Sequence, residues 1–337
     1  MIDFVIPTWG KACGIAEYTR SLRQSLEMIG EITSVNTPCS IDGSLRHIQH
    51  EYSLFPSVNQ VCDLADQAHR SDGHCVMTMH SVMRYPEDHR RMAGALDAII
   101  VHHSTVAELM DYPEAVVIPM GCDPPFVSTA DQRQAIRKRF DVPWSPIIAS
   151  FGFLRSQKGY LEIIEAIRFM KNQYSQIGLV IVAPTHAFGQ EQYEEQFFHQ
   201  LKQLDMDHRV RVIREWLSED DLLTLLQCAS AVVLNYIPSP LGGGISAASK
   251  MCLRAQRPLI VTDTIHFIDL DEEVIKTRTP HPADVLAAIT AVLEQRGIQD
   301  RLAEAGNRFL REHDWLRVAE QHQTLYRQIR EETCVRL

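Results

Sequence analysis

Apolar residues along this chain fall into two patterns that take turns. Short runs rich in Val and Ile read as buried strands, and longer stretches carry apolar residues at helical spacing. In the first half, strands are predicted at Phe4–Pro7, Ile32–Val35, His47–Gln49, Cys75–Thr78, Ala98–Val101 and Ala115–Ile118. Helices are predicted between them at Ile15–Met28, Val61–His69 and Thr105–Met110. Asp123–Pro146 breaks the rhythm, with Pro124, Pro125, Pro143 and Pro146 around a charged surface helix from Asp131 to Arg139. The alternation then restarts, with strands at Ile147–Phe151, Ile177–Ala183, Val210–Ile213, Ala231–Leu234 and Leu259–Val261. A last helix is predicted over Trp315–Ile329.

Strands separated by helices imply parallel crossovers and a doubly wound sheet, and the restart implies two of them. The expected class is α/β, with Rossmann-like domains over 1–145 and 146–312 and a terminal helical segment over 313–337. Open α/β sheets bind ligands beyond the carboxyl ends of their strands. Two such sheets facing each other would therefore place their site in a cleft.

The turn Phe151-Gly152-Phe153-Leu154-Arg155-Ser156-Gln157-Lys158-Gly159 lies between a predicted strand and a helix carrying Leu161, Ile164, Ile167 and Met170. A glycine turn, two cations and a helix N-terminus suit a phosphate group. Helix-terminal N–H groups point at the ligand, Arg155 offers a fork of donors and Lys158 a mobile point charge. An ordinary βα turn with solvated cations would read the same way.

Other stretches have positional claims of the same kind. Gly10-Lys11-Ala12-Cys13-Gly14 opens the first helix, where bare backbone at Gly14 permits close approach of a ligand; it is neither GxGxxG nor a P-loop. His80 follows the strand ending near Met79, where a neutral imidazole could meet a sugar hydroxyl or a phosphate. His102-His103 sits equivalently after Val101 and reads as a supporting or structural pair. Gln49-His50-Glu51-Tyr52 could contact an acceptor or pack as a cap. Gly242-Gly243-Gly244-Ile245-Ser246 precedes a helix with Ala247, Ala248, Met251 and Leu253, and its N–H groups could face an anion or the edge of a sugar.

Composition narrows the class. At 337 residues the chain is long for one core. Its net charge of −10 argues against a non-specific nucleic-acid binder. No apolar run approaches the ~20 residues of a membrane span. The first residues read as a strand without a basic leader, so no signal peptide is expected and the cytoplasm is the expected location. The eight cysteines, Cys13, Cys39, Cys62, Cys75, Cys122, Cys228, Cys252 and Cys334, show no CxxC, and most read as small buried hydrophobes. No metal-ligand spacing, paired carboxylates or Ser-His-Asp order stands out, so no metal and no cofactor are expected.

Taken in order, these stretches resemble the GT-B glycosyltransferases, in particular the retaining enzymes of glycosyltransferase family 4. Cys13–Thr19, His47–Phe55 and Thr78–Ser81 are similar to the N-terminal landmarks, and Val117–Asp123 to the segment entering the linker. Phe151–Gly159 is similar to the donor-diphosphate motif, and Trp315–Tyr326 to the helix that crosses back onto the N-terminal domain. The resemblance implies an N-terminal acceptor domain and a C-terminal nucleotide-sugar domain. One departure stands out. The family usually carries two glutamates before a G-x-P-V-I turn, whereas Gly242–Arg254 before Ala255-Gln256-Arg257-Pro258-Leu259-Ile260 has no acidic residue, and Met251 stands near the second.

The resemblance implies metal-independent sugar transfer, with retention, from a nucleoside-diphosphate sugar, UDP or GDP favoured, to a glycan, lipid-linked or small-molecule acceptor. His80, Arg155 and Lys158 are the expected catalytic residues. Gly14, Gly152, Gly243, Gly244, Ile245 and Ser246 are expected to line the donor. Two alternatives stay open: a non-catalytic GT-B subunit of a partner transferase, and a nucleic-acid-modifying glycosyltransferase.

Overall fold

The computed structural model describes residues 1–36, 44–184, 191–295 and 297–335. Its first elements are β1 (Ile2–Val5), α1 (Gly14–Met28), β2 (Thr33–Val35), β3 (Leu45–His50), α2 (Val58–His69), β4 (His74–Met79) and β5 (Val82–Met83). Next come α3 (Pro86–Ala95), β6 (Ala98–Val101), α4 (Ser104–Leu109), β7 (Val116–Val117) and α5 (Ala130–Arg139). Then follow β8 (Ile147–Phe151), α6 (Tyr160–Met170), β9 (Gly178–Val182), α7 (Glu191–Gln203), β10 (Val210–Ile213), α8 (Glu219–Gln227) and β11 (Ala231–Leu234). The chain ends with β12 (Gly242–Gly243), α9 (Ala247–Arg254), β13 (Leu259–Thr262), β14 (Val274–Thr277), α10 (Pro282–Glu294), α11 (Ile298–Glu312) and α12 (Trp315–Val335).

The chain divides into two compact units. Unit 1 is Met1–Cys122 with Pro240–Ile245 and Glu312–Leu337, and unit 2 is Asp123–Ser239 with Ser246–Arg311. Each holds a six-stranded sheet, ordered β2-β1-β3-β4-β6-β7 in unit 1 and β10-β9-β8-β11-β13-β14 in unit 2. All pairings within both sheets are parallel. The expected α/β class with two Rossmann-like sheets is what the chain forms.

Apolar strands buried on both faces explain these sheets, since parallel strands lie under helices on either side. In unit 2, Ile148, Leu179, Ile181, Val233 and Ile260 pack under Ile163, Ile164 and Ile167 of α6. In unit 1, Phe4, Ile48, Met77 and Ile100 are buried, as are Leu22 and Leu26 of α1 and Val318 and Tyr326 of α12. The terminal helix is tied to the sheet by His47, whose Nδ1 lies 2.7 Å from the Tyr326 hydroxyl.

Cys13, Cys62, Cys75, Cys122, Cys228 and Cys252 are free thiols, with Cys75, Cys122 and Cys252 buried and the others half-buried. Cys39 and the Cys334 side chain lie outside the described residues. Among the described residues no helix is long and apolar enough to cross a membrane.

Candidate functional site

A doubly wound sheet opens a crevice where its strand order reverses, because the crossovers there leave in opposite directions. In unit 2 that point lies between β8 and β11, which pair directly. The turn after β8 and the residues after β11 therefore meet at the carboxyl edge. Ser156–Lys158 forms one 3₁₀ turn, and Gly159 then caps α6 with φ 60° and ψ 32°. A Cβ at Gly159 would lie 2.0 Å from the Asn235 carbonyl oxygen, so both the left-handed conformation and the close approach require glycine. No side chain caps α6 among the described residues. Its first N–H groups, with the positive end of the helix dipole, are left for a ligand or water.

Lys158 is half-buried, and its Nζ sits 3.6 Å from the centre of the Tyr236 ring. That cation–π contact fixes a side chain that would otherwise sample many rotamers. Tyr160 donates its hydroxyl to the Gly152 carbonyl at 2.8 Å, holding the glycine turn against the start of α6. Asn235 joins the same edge: Thr262 Oγ1 donates to its Oδ1 at 3.0 Å, and its Nδ2 donates to the Pro280 carbonyl at 3.0 Å. The Tyr236 hydroxyl lies 3.1 Å from Ser246 Oγ. Asn235 and Tyr236 are absent from the predicted site, although their place directly after a buried strand was the available signal.

The stretch without the glutamate pair forms α9. Lys250, at 4% exposure, is bound to Asp269 at 2.5 Å, an ion pair that joins α9 to the segment after β13. Met251 accepts a weak hydrogen bond from Arg254 Nη1 at 3.6 Å, and Arg254 also pairs with Glu219 at 2.7 Å. A thioether in this position offers no carboxylate to a pair of ribose hydroxyls.

Unit 1 gathers a second polar cluster. Gly14 is exposed and opens α1, whose N-cap Cys13 makes no side-chain cap among the described residues. His80 follows β4; its Nε2 lies 2.9 Å from the Gln49 side chain and its Nδ1 3.4 Å from His102 Nε2. Tyr18 packs edge-on to His80 with ring centres 4.8 Å apart. Burial, and then the neighbouring His102 and His50, hold His80 well below the usual imidazole range, so it is neutral at pH 7. The adjacent histidines part ways: His102 joins this cluster, whereas His103 caps α4 by accepting from the Thr105 N–H at 3.1 Å.

The glycine run belongs to this cluster and is not a bare loop. Gly242 and Gly243 pair antiparallel with Met83 and Val82. A Cβ at Gly244 would lie 1.9 Å from the His80 carbonyl oxygen, so only glycine lets the run lie on this peptide. Ile245 is buried and ends the unit 1 insertion, and Ser246, the N-cap residue before α9, lies in unit 2 with Tyr236. The expected catalytic and donor residues therefore fall into two sets. Gly152, Arg155, Lys158 and Ser246 belong to unit 2, and Gly14, His80, Gly243, Gly244 and Ile245 to unit 1.

Tyr52 takes the packed reading. Its hydroxyl lies 2.8 Å from His89 Nε2 and receives the Met83 N–H at 3.3 Å. Among the described residues, one group, Asp205, Asp207 and His208, has side chains close enough to share a metal ion. It is exposed between α7 and β10, where neighbouring carboxylates are common without an ion.

No protein-family model and no curated protein matches this sequence. Solved structures are similar over nearly the whole chain. HepE from Anabaena, solved with UDP, has 14% identity and a TM-score of 0.74 over 96% of this chain and 99% of its own. A glycosyltransferase from Rickettsia africae has 13% identity and a TM-score of 0.78 over 97% and 98%. Sucrose-phosphate synthase from Thermosynechococcus elongatus has 14% identity and a TM-score of 0.75 over the same shares. The fold is GT-B. At these identities the likeness concerns the backbone, and the chemistry rests on the side chains.

Proposed function

We propose that this GT-B protein transfers a sugar, with retention, from a nucleoside-diphosphate sugar to an acceptor hydroxyl. The observation that carries the reading is the turn at the unit 2 switch point. There Arg155, Lys158 and the uncapped start of α6 meet at the edge where such sheets take ligands. HepE has been solved with UDP and with UDP-glucose on the same fold, which supports a uridine donor.

Charge sets the roles. As the bond to the departing diphosphate breaks, negative charge grows on its oxygens, and fixed cations stabilise that state more than the ground state. Arg155 grips as a fork and Lys158 follows as a point charge. His80, neutral and hydrogen-bonded on both sides, holds a hydroxyl and does not relay a proton. Gly244 lies against the His80 peptide, where a Cβ would collide with its carbonyl oxygen.

Incubation of the pure protein with UDP-, GDP- and ADP-sugars, following donor hydrolysis and transfer, tests the reading. Turnover of one donor is expected, and inertness toward all of them would favour a non-catalytic subunit. That second reading draws on Gly242–Arg254, which has no acidic residue, and on Met251, which stands near the second carboxylate that the resemblance implies. We also expect added EDTA to leave turnover unchanged, since the cations at the turn take the role a metal ion would have. Loss of turnover on chelation, restored by Mg²⁺ or Mn²⁺, would refute this.

A further inference from the structure

We infer that His102 is a positioning residue that fixes the tautomer of His80, leaving His80 with a hydrogen on Nδ1 and a lone pair on Nε2. The argument is a count of hydrogens. His102 Nδ1 lies 3.1 Å from the Ile118 carbonyl oxygen, which can only accept, so this nitrogen carries the hydrogen. A neutral imidazole protonated at Nδ1 has a lone pair at Nε2. His102 Nε2 faces His80 Nδ1 at 3.4 Å, so His80 Nδ1 must donate. His80 Nε2 is then an acceptor, 2.9 Å from the Gln49 amide.

The amide agrees with this order once its nitrogen faces His80. Oxygen and nitrogen of a Gln side chain exchange places on a half-turn, and the surrounding network decides between them. Gln49 has 0% exposure, and among the described residues its Nε2 has no partner, so turning the amide breaks no hydrogen bond on its far side. The oxygen toward His80 forces either two oxygen and nitrogen lone pairs or two ring lone pairs to face each other. With the nitrogen toward His80, the bonds run in one direction: Gln49 to His80, His80 to His102, His102 to the Ile118 carbonyl. An imidazolium at His102 would be the other solution. His102 is 3% exposed, between Tyr18 and His80, and burial disfavours the charged form.

The consequence for binding rests on the proposed function. An Nε2 lone pair accepts from a hydroxyl, which can take the place of the Gln49 amide, but it repels a phosphate oxygen. His80 is thereby assigned to a sugar hydroxyl and not to the donor diphosphate.

Long-range ¹⁵N–¹H correlation of the histidine rings in the full-length protein reads the tautomer directly, with His80→Ala assigning the signals. We expect His80 Nδ1 to resonate as a protonated nitrogen and Nε2 as an unprotonated one. His102→Leu, which removes the acceptor, should shift His80 toward the Nε2–H form, and His102→Gln, which can return an acceptor oxygen, should restore it. A His80 protonated at Nε2 in the wild type, an imidazolium at His102, or an unchanged tautomer in His102→Leu would overturn the inference. The wild-type spectrum decides even if a variant fails to fold. With a turned-over donor, His102→Leu should raise its KM about tenfold, the loss of one hydrogen bond, and His102→Gln should recover most of it. If the tautomer follows the substitutions while His80→Ala transfers normally, the inference stands and the placement of His80 at the sugar falls.

Discussion

Lys158→Ala is expected to slow single-turnover sugar transfer by roughly 30- to 1000-fold, and to weaken nucleoside-diphosphate binding by less. The asymmetry follows from where the charge is. The bound diphosphate already attracts the ammonium, but charge on the leaving oxygen rises as the glycosidic bond lengthens, so the attraction is strongest at the transition state. Removing one charge-assisted hydrogen bond at that stage costs about 2–4 kcal/mol. The Tyr236 ring holds Nζ in place before any ligand arrives, so the effect includes the loss of preorganisation as well as of charge. Tyr236→Leu should accordingly slow transfer while leaving the charge present. Arg155→Lys should also be costly, because the fork geometry goes although the charge stays. The turn is half-exposed, so the melting temperature should move little for Lys158→Ala. Wild-type transfer and wild-type nucleotide affinity in Lys158→Ala would reduce Gly152–Gly159 to an ordinary turn.

Much of this fold is legible in the sequence because its elements carry local signals. The strands before Gly152 and after Asp97 are continuous apolar runs, and the step from period two to helical spacing marks α1, α6 and α12. Legibility ends where structure depends on distant pairing. Gly242 and Gly243 have no periodicity to show, and only their partners Met83 and Val82 make them a strand. β14 is a short edge strand, Val-Ile-Lys-Thr, with too few residues for a pattern. α8 was open to reading from its cap: Ser218 accepts the Asp221 N–H at 3.2 Å, and Glu219, Asp220 and Asp221 fill the first turn.

The candidate site divides along the same line. Position after a strand is enough to single out His80 and the Arg155–Lys158 turn. It does not single out His102 as the ring beside His80, because that follows from β4 lying next to β6. Nor does it expose Lys250 and Asp269, nineteen positions apart in sequence, as a buried pair. Residues that act through neighbours in space leave no spacing in the chain.

Unit 1 is expected to lose much of its stability between pH 7 and pH 5, through its buried histidines. His47, His50, His102 and His322 are each at most 3% exposed, and His80 lies among them half-buried. Burial holds His50 and His322 down to about 4, from an ordinary value of 6.5. Burial, then His322, His80 and His102, hold His47 well below that range. The unfolded chain binds protons where the folded one cannot, so this contribution is present above pH ~6.5 and lost as pH falls toward the folded values. At pH 5 the loss is roughly 2 kcal/mol each for His50 and His322, and His47 and His80 add to it. Against a typical total of about 5–15 kcal/mol, that is a large share. Trp9 and Trp315 lie in unit 1, and Trp144 and Trp216 in unit 2, so Trp144→Phe/Trp216→Phe lets fluorescence follow unit 1 alone. Carboxylates also titrate on acidification, and His322→Phe separates the two causes. Its Nε2 is buried with no partner among the described residues, so a ring carbon is tolerated there, and the proton-binding site of the unfolded state disappears. The variant should keep roughly 2 kcal/mol more of its neutral-pH stability at pH 5 than the wild type keeps. Equal losses in the two proteins would remove the buried histidines as the cause.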